Sequence, residues 1–600
     1  MLLEDALGHS REHPFYVAIG RAAWPLIWLK HPSALSGKVV ISFREPTGNA
    51  RLHATQETSS KTRVVVLASA IWAGSIFASR LIGLVREQII GRTLGASRQA
   101  DLYFASFTLP DFLNYLLAAG ALSIVFIPIF LAHLEKGDEQ RAWTSFSVIA
   151  NFIVLVGSVG IALLMIFARP LANWVAPGFA DPAEVDALVR LTRIILPAQF
   201  FHVIGGLLSA ALQAQNLHAL PALAPLVYSA AIIAGGLVGA WYPTLGAEGF
   251  AWGVLLGSIA GPFALPLIGC IRTRMRWMPV LSFRDDDLKR YLWLSLPIMI
   301  GFSIVIVDEW IVKNQASYLA PGTLAYLQYG RTLMKVPIGI FGMAAGVASY
   351  PTLSALVANG AIVQAYELLC RAVRAMLLLT FAAQVCLTVA GFEAVDMIWG
   401  LFANRFTAAD TAETATVLAY LCLGLGGWAA QSLIARGFYA LGSTWLPTIV
   451  GTMIAAVAVP LYVLLRRQDG AIGLAIASSV AITVYVAVLG LLQRRRFELE
   501  AAAQGTTLND TRGMLGAVLR MAAAAILASA LGLWLRGPIL QWLPGMTLAP
   551  VLLRAVLLCG FGVGLYVALV YLFGVQDLAE LKTVLAHRLH DRRHLVEHEH

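Results

Sequence analysis

Long apolar runs recur about fourteen times along this chain, and in lipid only helices and closed barrels satisfy their own backbone polar groups. The runs fall at approximately residues 64–90, 101–134, 145–168, 186–214, 221–243, 247–271, 290–319, 323–356, 367–392, 412–440, 445–465, 470–493, 513–536 and 548–574. Each is long enough to cross the hydrocarbon core as a helix, which takes about 18 or more apolar residues. Charged residues make up only 13% of the chain and hydrophobic ones 58%, whereas a soluble domain is about a quarter charged. The expected fold class is an all-α polytopic membrane protein of about fourteen transmembrane helices.

The segments between the runs are short, which leaves no room for an extramembrane catalytic domain. The formal net charge of +9 does not indicate nucleic-acid binding, because the basic residues gather in short loops. Arg272, Arg274, Arg276 and Arg284, then Lys289 and Arg290, form one such cluster; Arg494, Arg495 and Arg496 form another. Such clusters mark cytoplasmic loops by the positive-inside rule, and an even number of spans then puts both termini in the cytoplasm. Cys270, Cys370, Cys386, Cys422 and Cys559 lie in or beside apolar runs, with neither metal-ligand spacing nor a disulfide pattern, so no metal or cofactor is expected. Residues 1–61 hold one short apolar stretch at 15–29, interrupted by Arg21 and Pro25. They read as a mostly disordered cytoplasmic extension, or as sequence ahead of the true start codon; residues 575–600 read as a cytoplasmic tail.

An internal repeat is visible. Ala176-Pro177-Gly178-Phe179 precedes the fourth run, which ends at Asn216 before Leu220-Pro221. Ala403-Asn404-Arg405-Phe406 precedes the tenth, which ends at Gly442 before Leu446-Pro447, about 226 residues on. Pro128 and Gly137 recur as Pro351 and Gly360. Each copy holds six runs, so the copies share one orientation in the membrane, and parallel repeats of this kind place a substrate site where two halves meet. The expected organisation is a six-helix lobe over 62–275, a second over 276–500, and two additional helices within 513–574.

Charges inside the runs are the candidate functional residues, since a cation in a membrane helix costs roughly 2.5–3.5 kcal/mol on insertion scales and normally faces a polar cavity or a partner. Arg80 and Arg86 lie in or at the end of the first run, with Glu87 beside them, and Asp101 opens the second. Together they point to a hydrated interior that handles something anionic. Arg331 and Lys335 lie four residues apart in the eighth run, with no acid near them in sequence. In the seventh run Glu309 and Lys313 have the favourable i, i+4 order and are expected to pair. That leaves Asp308 without a local partner, free to bind a coupling cation or proton.

The run Ser79-Arg80-Leu81-Ile82-Gly83-Leu84-Val85-Arg86-Glu87, followed by Gly95 and Ala100-Asp101, resembles the opening of the MurJ/MviN family of lipid II flippases. So do Ala176-Pro177-Gly178-Phe179, Pro337-Ile338-Gly339-Ile340-Phe341-Gly342, Phe406-Thr407-Ala408-Ala409-Asp410-Thr411, and Gly437-Phe438-Tyr439-Ala440-Leu441-Gly442 with Pro447. The resemblance spans about residues 62–500 in the family's order. It implies two six-helix lobes in a V, within the multidrug/oligosaccharidyl-lipid/polysaccharide exporter superfamily, plus two further helices. The implied activity is movement of an undecaprenyl-diphosphate-linked peptidoglycan precursor from the inner to the outer leaflet of the bacterial cytoplasmic membrane.

By that resemblance the family's functional arginines and aspartate fall on Arg80, Arg86 and Asp101. Two positions depart from it: Asn114 stands four residues after Pro110 where the family usually has arginine, and Gly330-Arg331-Thr332-Leu333 moves the eighth-run cation back by one residue. A diphosphate suits arginine, which stays charged and presents a planar fork of donors. The expected grip is Arg80, Arg86 and Arg331, helped by Lys335, with Glu87 and Asp101 holding the arginines when no cargo is present. The expected partners are a lipid-linked diphosphate glycan and the bilayer. A flippase for another undecaprenyl-linked polysaccharide repeat is the alternative. A drug antiporter would line its lobes with acids, and a ligase or polymerase would need a catalytic loop.

Overall fold

The computed structural model of the chain describes residues 78–79, 81–118, 125–242, 244–300, 304–401, 405–508, 512–545 and 547–575, which belong to one unit, Ala78–Leu581. Arg80, the extension 1–61, Ala403 and Asn404 of the repeat motif, and the tail from 576 lie outside the described residues. Within them every regular element is helical. Eight helices are long and apolar enough to cross a membrane, or up to nine if one bent pair counts as a single span.

In chain order the helices are α1 (81–94), α2 (Arg98–Ser106), α3 (Thr108–Ala118), α4 (Ile127–Leu134), α5 (Glu139–Ile166), α6 (Ala168–Val175), α7 (Pro182–Ala214), α8 (Ala219–Trp241) and α9 (Ala247–Arg272). Then come α10 (Asp286–Ile300), α11 (Ile304–Ala316), α12 (Thr323–Pro337), α13 (Met343–Ala358), α14 (Ile362–Val389), α15 (Gly391–Val395), α16 (Ala408–Cys422) and α17 (Leu425–Ala440). The last three are α18 (Trp445–Ala503), α19 (Arg512–Trp542) and α20 (Leu548–Leu572).

The repeat is written into the backbone. Positive φ occurs at Gly95, Gly137, Asn216 and Gly246, and again at Gly322, Gly360, Gly442 and Gly470. These are the turns between helices, and each recurs about 225 residues later. Helices α5 and α14 are both 28 residues long, and α7 corresponds to the pair α16–α17, which is bent by 44°.

Several expected boundaries shift for local reasons. The eleventh and twelfth runs are one assigned helix of 59 residues, broken only at Gly470 (φ 57°, ψ −124°). Arg494, Arg495 and Arg496 are helical within it rather than in a loop, because Arg494 pairs with Glu498 one turn on and the helix continues to Ala503. The second run is divided at Phe107, between α2 and α3. Helix starts follow side-chain chemistry: Asp181 accepts from Ala183 N–H ahead of Pro182, and Thr407 and Asp410 form a reciprocal capping box for α16. The Phe-Thr-x-x-Asp-Thr motif is therefore a helix start.

Packing follows membrane rules. Helices α8 and α9 approach through glycines, and a Cβ built on Gly249 would lie 2.8 Å from Gly239 Cα. The seventh run is divided between the repeats: α10 packs on α3 and α5, whereas α11 packs on α18 and touches α6. Helices α19 and α20 pack on α14. There Glu393, fully buried, lies 3.4 Å from Arg536 and 3.9 Å from Arg554.

Candidate functional site

The two repeats meet most closely at the end that carries Gly95 and Gly322. Asp101, 1% exposed, accepts hydrogen bonds from the N–H groups of Gly322 (2.7 Å) and Ala325 (2.9 Å). A carboxylate from the first repeat thus caps the N-terminus of α12 in the second, where free N–H groups and the helix dipole both favour negative charge. Arg98, one turn before Asp101 on α2, is 3.6 Å from it. Around this contact the Tyr329 hydroxyl donates to Gly95 O (3.0 Å), the Trp399 indole donates to Glu87 O (2.9 Å), and Gly178 N–H donates to Ser317 Oγ (3.0 Å). Gly322 is required here: its φ is 91°, and a Cβ would press on the Ala96 carbonyl. Asp101 therefore belongs to the closure between the repeats, and among the described residues its cation is Arg98 rather than Arg86.

Beyond this closure lies a string of paired charges contributed by both repeats. Arg86 donates to Glu87 at 2.8 Å, with its side chain 28% exposed. Tyr228 on α8 lies within electrostatic reach of both Arg86 and Asp111 on α3. Asp111 is 3.8 Å from Lys313 on α11, a pairing from one repeat to the other. Lys335 on α12 donates to Glu309 at 2.5 Å. Phe112 and Trp310 pack beside the string with their rings tilted, the centroids 5.3 Å apart. Asn114 is half-buried one helical turn beyond Asp111 on α3.

One expected pairing, and one residue expected to have no partner, are corrected. Glu309 and Lys313 do not pair with each other: Lys335 takes Glu309 and Asp111 takes Lys313, because partners on facing helices approach more closely than the neighbouring turn. Asp308 is not without a partner. Arg331 donates to it at 2.5 Å, Ser478 at 3.1 Å, and the Tyr462 hydroxyl also donates to it. Both Arg331 and Asp308 are buried, so Arg331 joins α11, α12 and the two halves of α18 within the second repeat. Arg331 and Lys335, which have no acid near them in sequence, thus each face one on a neighbouring helix. Asp111 went unnoticed in the sequence, although an acid directly after a proline inside an apolar run is a signal of the same kind as Asp101.

A family model described as Lipid II flippase MurJ matches residues 90–553. The chain is 26% identical over 522 residues to the probable lipid II flippase MurJ of Vibrio cholerae, covering 84% of this chain and 95% of that protein. It is similar in structure to a lipid II flippase MurJ in an inward closed conformation, with a TM-score of 0.66 and 20% identity over 84% of this chain and 98% of that one. A multidrug resistance MATE family transporter of the MOP superfamily, in its inward-facing conformation, matches with a TM-score of 0.57 and 15% identity over 70% of this chain and 95% of that one. At these identities the structural likenesses speak for the fold.

Proposed function

Because this chain belongs to the lipid II flippase MurJ family, we propose that it carries lipid II from the inner to the outer leaflet of the bacterial cytoplasmic membrane by alternating access. The observation that supports this reading is the string of paired charges between two parallel repeats that close on each other at one end. Arg86, Lys313 and Lys335 each have a carboxylate partner, namely Glu87, Asp111 and Glu309. A diphosphate entering the string exchanges with those carboxylates, so cations are available to cargo without standing bare in the membrane. Arg80 is the fourth cation we assign to this grip. Asp101 acts as the latch at the Gly95–Gly322 end, and Arg331 with Asp308 braces the second lobe.

The basic loop at 272–290 supports placing the opposite end, and with it both termini, in the cytoplasm. The closed end then faces outward, and cargo enters from the cytoplasmic side. No cofactor takes part in this cycle, which we assign to a coupling cation or the membrane potential as driving force; Asp308 is occupied by Arg331 and is not the cation's ligand.

Depletion in the native bacterium with leaflet-resolved measurement of lipid II tests the reading. Lipid II should be retained in the inner leaflet, with lysis like that of cells starved of wall precursor. Normal outer-leaflet lipid II, with loss of another surface polymer, would overturn it.

A further inference from the structure

The charge string is balanced, three cations against three carboxylates among the described residues, but Arg436 of the second repeat has no carboxylate partner among them. Arg436 lies on α17, one turn before its end at Ala440. Its guanidinium rests against α13 at Gly346, where an added Cβ would stand 2.7 Å from Cζ and 3.2 Å from Nε. Nη1 is buried with no hydrogen-bond partner among the described residues. Among the described residues the ionisable groups within electrostatic reach of the guanidinium are the hydroxyls of Tyr350 on α13 and Tyr439 on α17. Tyr439, 40% exposed, is in turn within electrostatic reach of Tyr115 on α3 of the first repeat.

We propose that Arg436 is a further cargo-binding residue, which takes the phosphate-ester anion of the lipid-linked cargo on the second lobe before the anion reaches the paired string. This rests on the flippase reading above. Arginine held in a membrane interior with an unmet donor is costly, and an incoming anion that brings oxygens to the fork removes that cost. A diphosphate must displace a carboxylate from Arg86, Lys313 or Lys335, but among the described residues no carboxylate needs displacing at Arg436. The residue also sits toward the end of α17 remote from the Gly95–Gly322 closure, the side from which cargo enters in the flippase reading. Tyr350 and Tyr439 supply hydroxyl donors to the same anion. Gly346 provides the flat surface that keeps the guanidinium in place.

The test uses the full chain in nanodiscs, with undecaprenyl diphosphate as probe and phosphatidylglycerol as a second arm. Wild type, Arg436→Gln, Arg436→Lys and Arg86→Gln are compared for binding. We expect Arg436→Gln to weaken undecaprenyl diphosphate binding by about tenfold or more, with Arg436→Lys between it and wild type, since charge returns without the fork. Phenylglyoxal labelling of Arg436 in wild type, read by mass spectrometry, should be suppressed by the probe, which tests the contact even where a variant fails to accumulate. Unchanged binding in Arg436→Gln beside weakened binding in Arg86→Gln overturns the proposal and leaves the flippase reading standing. Equal losses for both probes mean that the residue holds bulk phospholipid, which overturns the cargo assignment. No binding of undecaprenyl diphosphate by wild type overturns the flippase reading, and the proposal with it.

Discussion

Arg331 and Arg436 have opposite surroundings, the one paired with a buried carboxylate and the other with a buried donor unmet among the described residues, and that difference decides what each can do. Arg331 is 3% exposed, and its side chain is committed to a buried carboxylate, Asp308. Removing one member of such a pair leaves a buried charge uncompensated, at a cost of about 3–5 kcal/mol, whereas replacing both by apolar groups is often neutral. Arg331→Ala should therefore lower thermal stability in detergent sharply, and Arg331→Met combined with Asp308→Leu should recover most of it. A stable Arg331→Ala protein that has lost cargo binding would instead return Arg331 to the grip. At the other end of the molecule, Asp287 receives hydrogen bonds from Ser145 and His133 and lies 2.9 Å from Arg141. Burial pushes its carboxyl up, but these contacts and charges outweigh it and hold the carboxyl below its usual range. A carboxyl lowered by folding adds stability above its unfolded value of about 3.9 and loses it as pH falls through the folded value. Thermal stability measured from pH 6 downward should accordingly fall more steeply in wild type than in Asp287→Asn.

Among the elements, α18 shows most plainly how one backbone position organises many residues. It runs for 59 residues, and only Gly470, at φ 57° and ψ −124°, leaves helical geometry. The first repeat has its counterpart at Gly246, φ 44° and ψ −120°, between α8 and α9. A side chain at such a backbone position costs on the order of 1–3 kcal/mol. Gly470→Ala should lower the melting temperature and disturb the hydrogen bonds that Tyr462 and Ser478, from the two halves of α18, make to Asp308. Gly490→Ala, a helical position in the same element with open space around it, should be neutral or mildly stabilising. Equal effects at the two glycines would show that the turn at Gly470 is unstrained.

For the whole molecule the decisive feature is that the repeats are latched at one end through Asp101 and the N-terminus of α12. If transport alternates access, weakening that latch shifts the population toward a state open at that end. Spin labels at Ala180 and Ala409, both exposed and on different repeats near the closure, report the separation directly. Asp101→Ala should add or enrich a longer-distance population relative to wild type in double electron–electron resonance. A distance distribution unaffected by the substitution, in protein of normal stability, would mean that the latch carries no part of the closure.

The sequence alone determined that this is a helical membrane protein built on a parallel repeat, because the cost of unpaired backbone groups in lipid leaves long apolar runs few alternatives. It also located the repeat turns, since Gly137, Gly360 and Gly442 stand where left-handed backbone ends a helix, and it singled out Arg86 and Lys335 as charges out of place in apolar helices. It could not decide partnership. Local spacing favoured Glu309 with Lys313, yet helices α3, α11 and α12 bring Asp111 to Lys313 and Lys335 to Glu309. Spacing also left Asp308 alone, while Arg331, Tyr462 and Ser478 reach it from two other helices. Nor could it separate Asp101, spent on a helix start 221 residues away, from a cargo ligand. Each of these outcomes depends on which faces of distant helices meet. Membrane packing selects those faces through small residues and shape, and charge pairing then follows the contacts that packing creates.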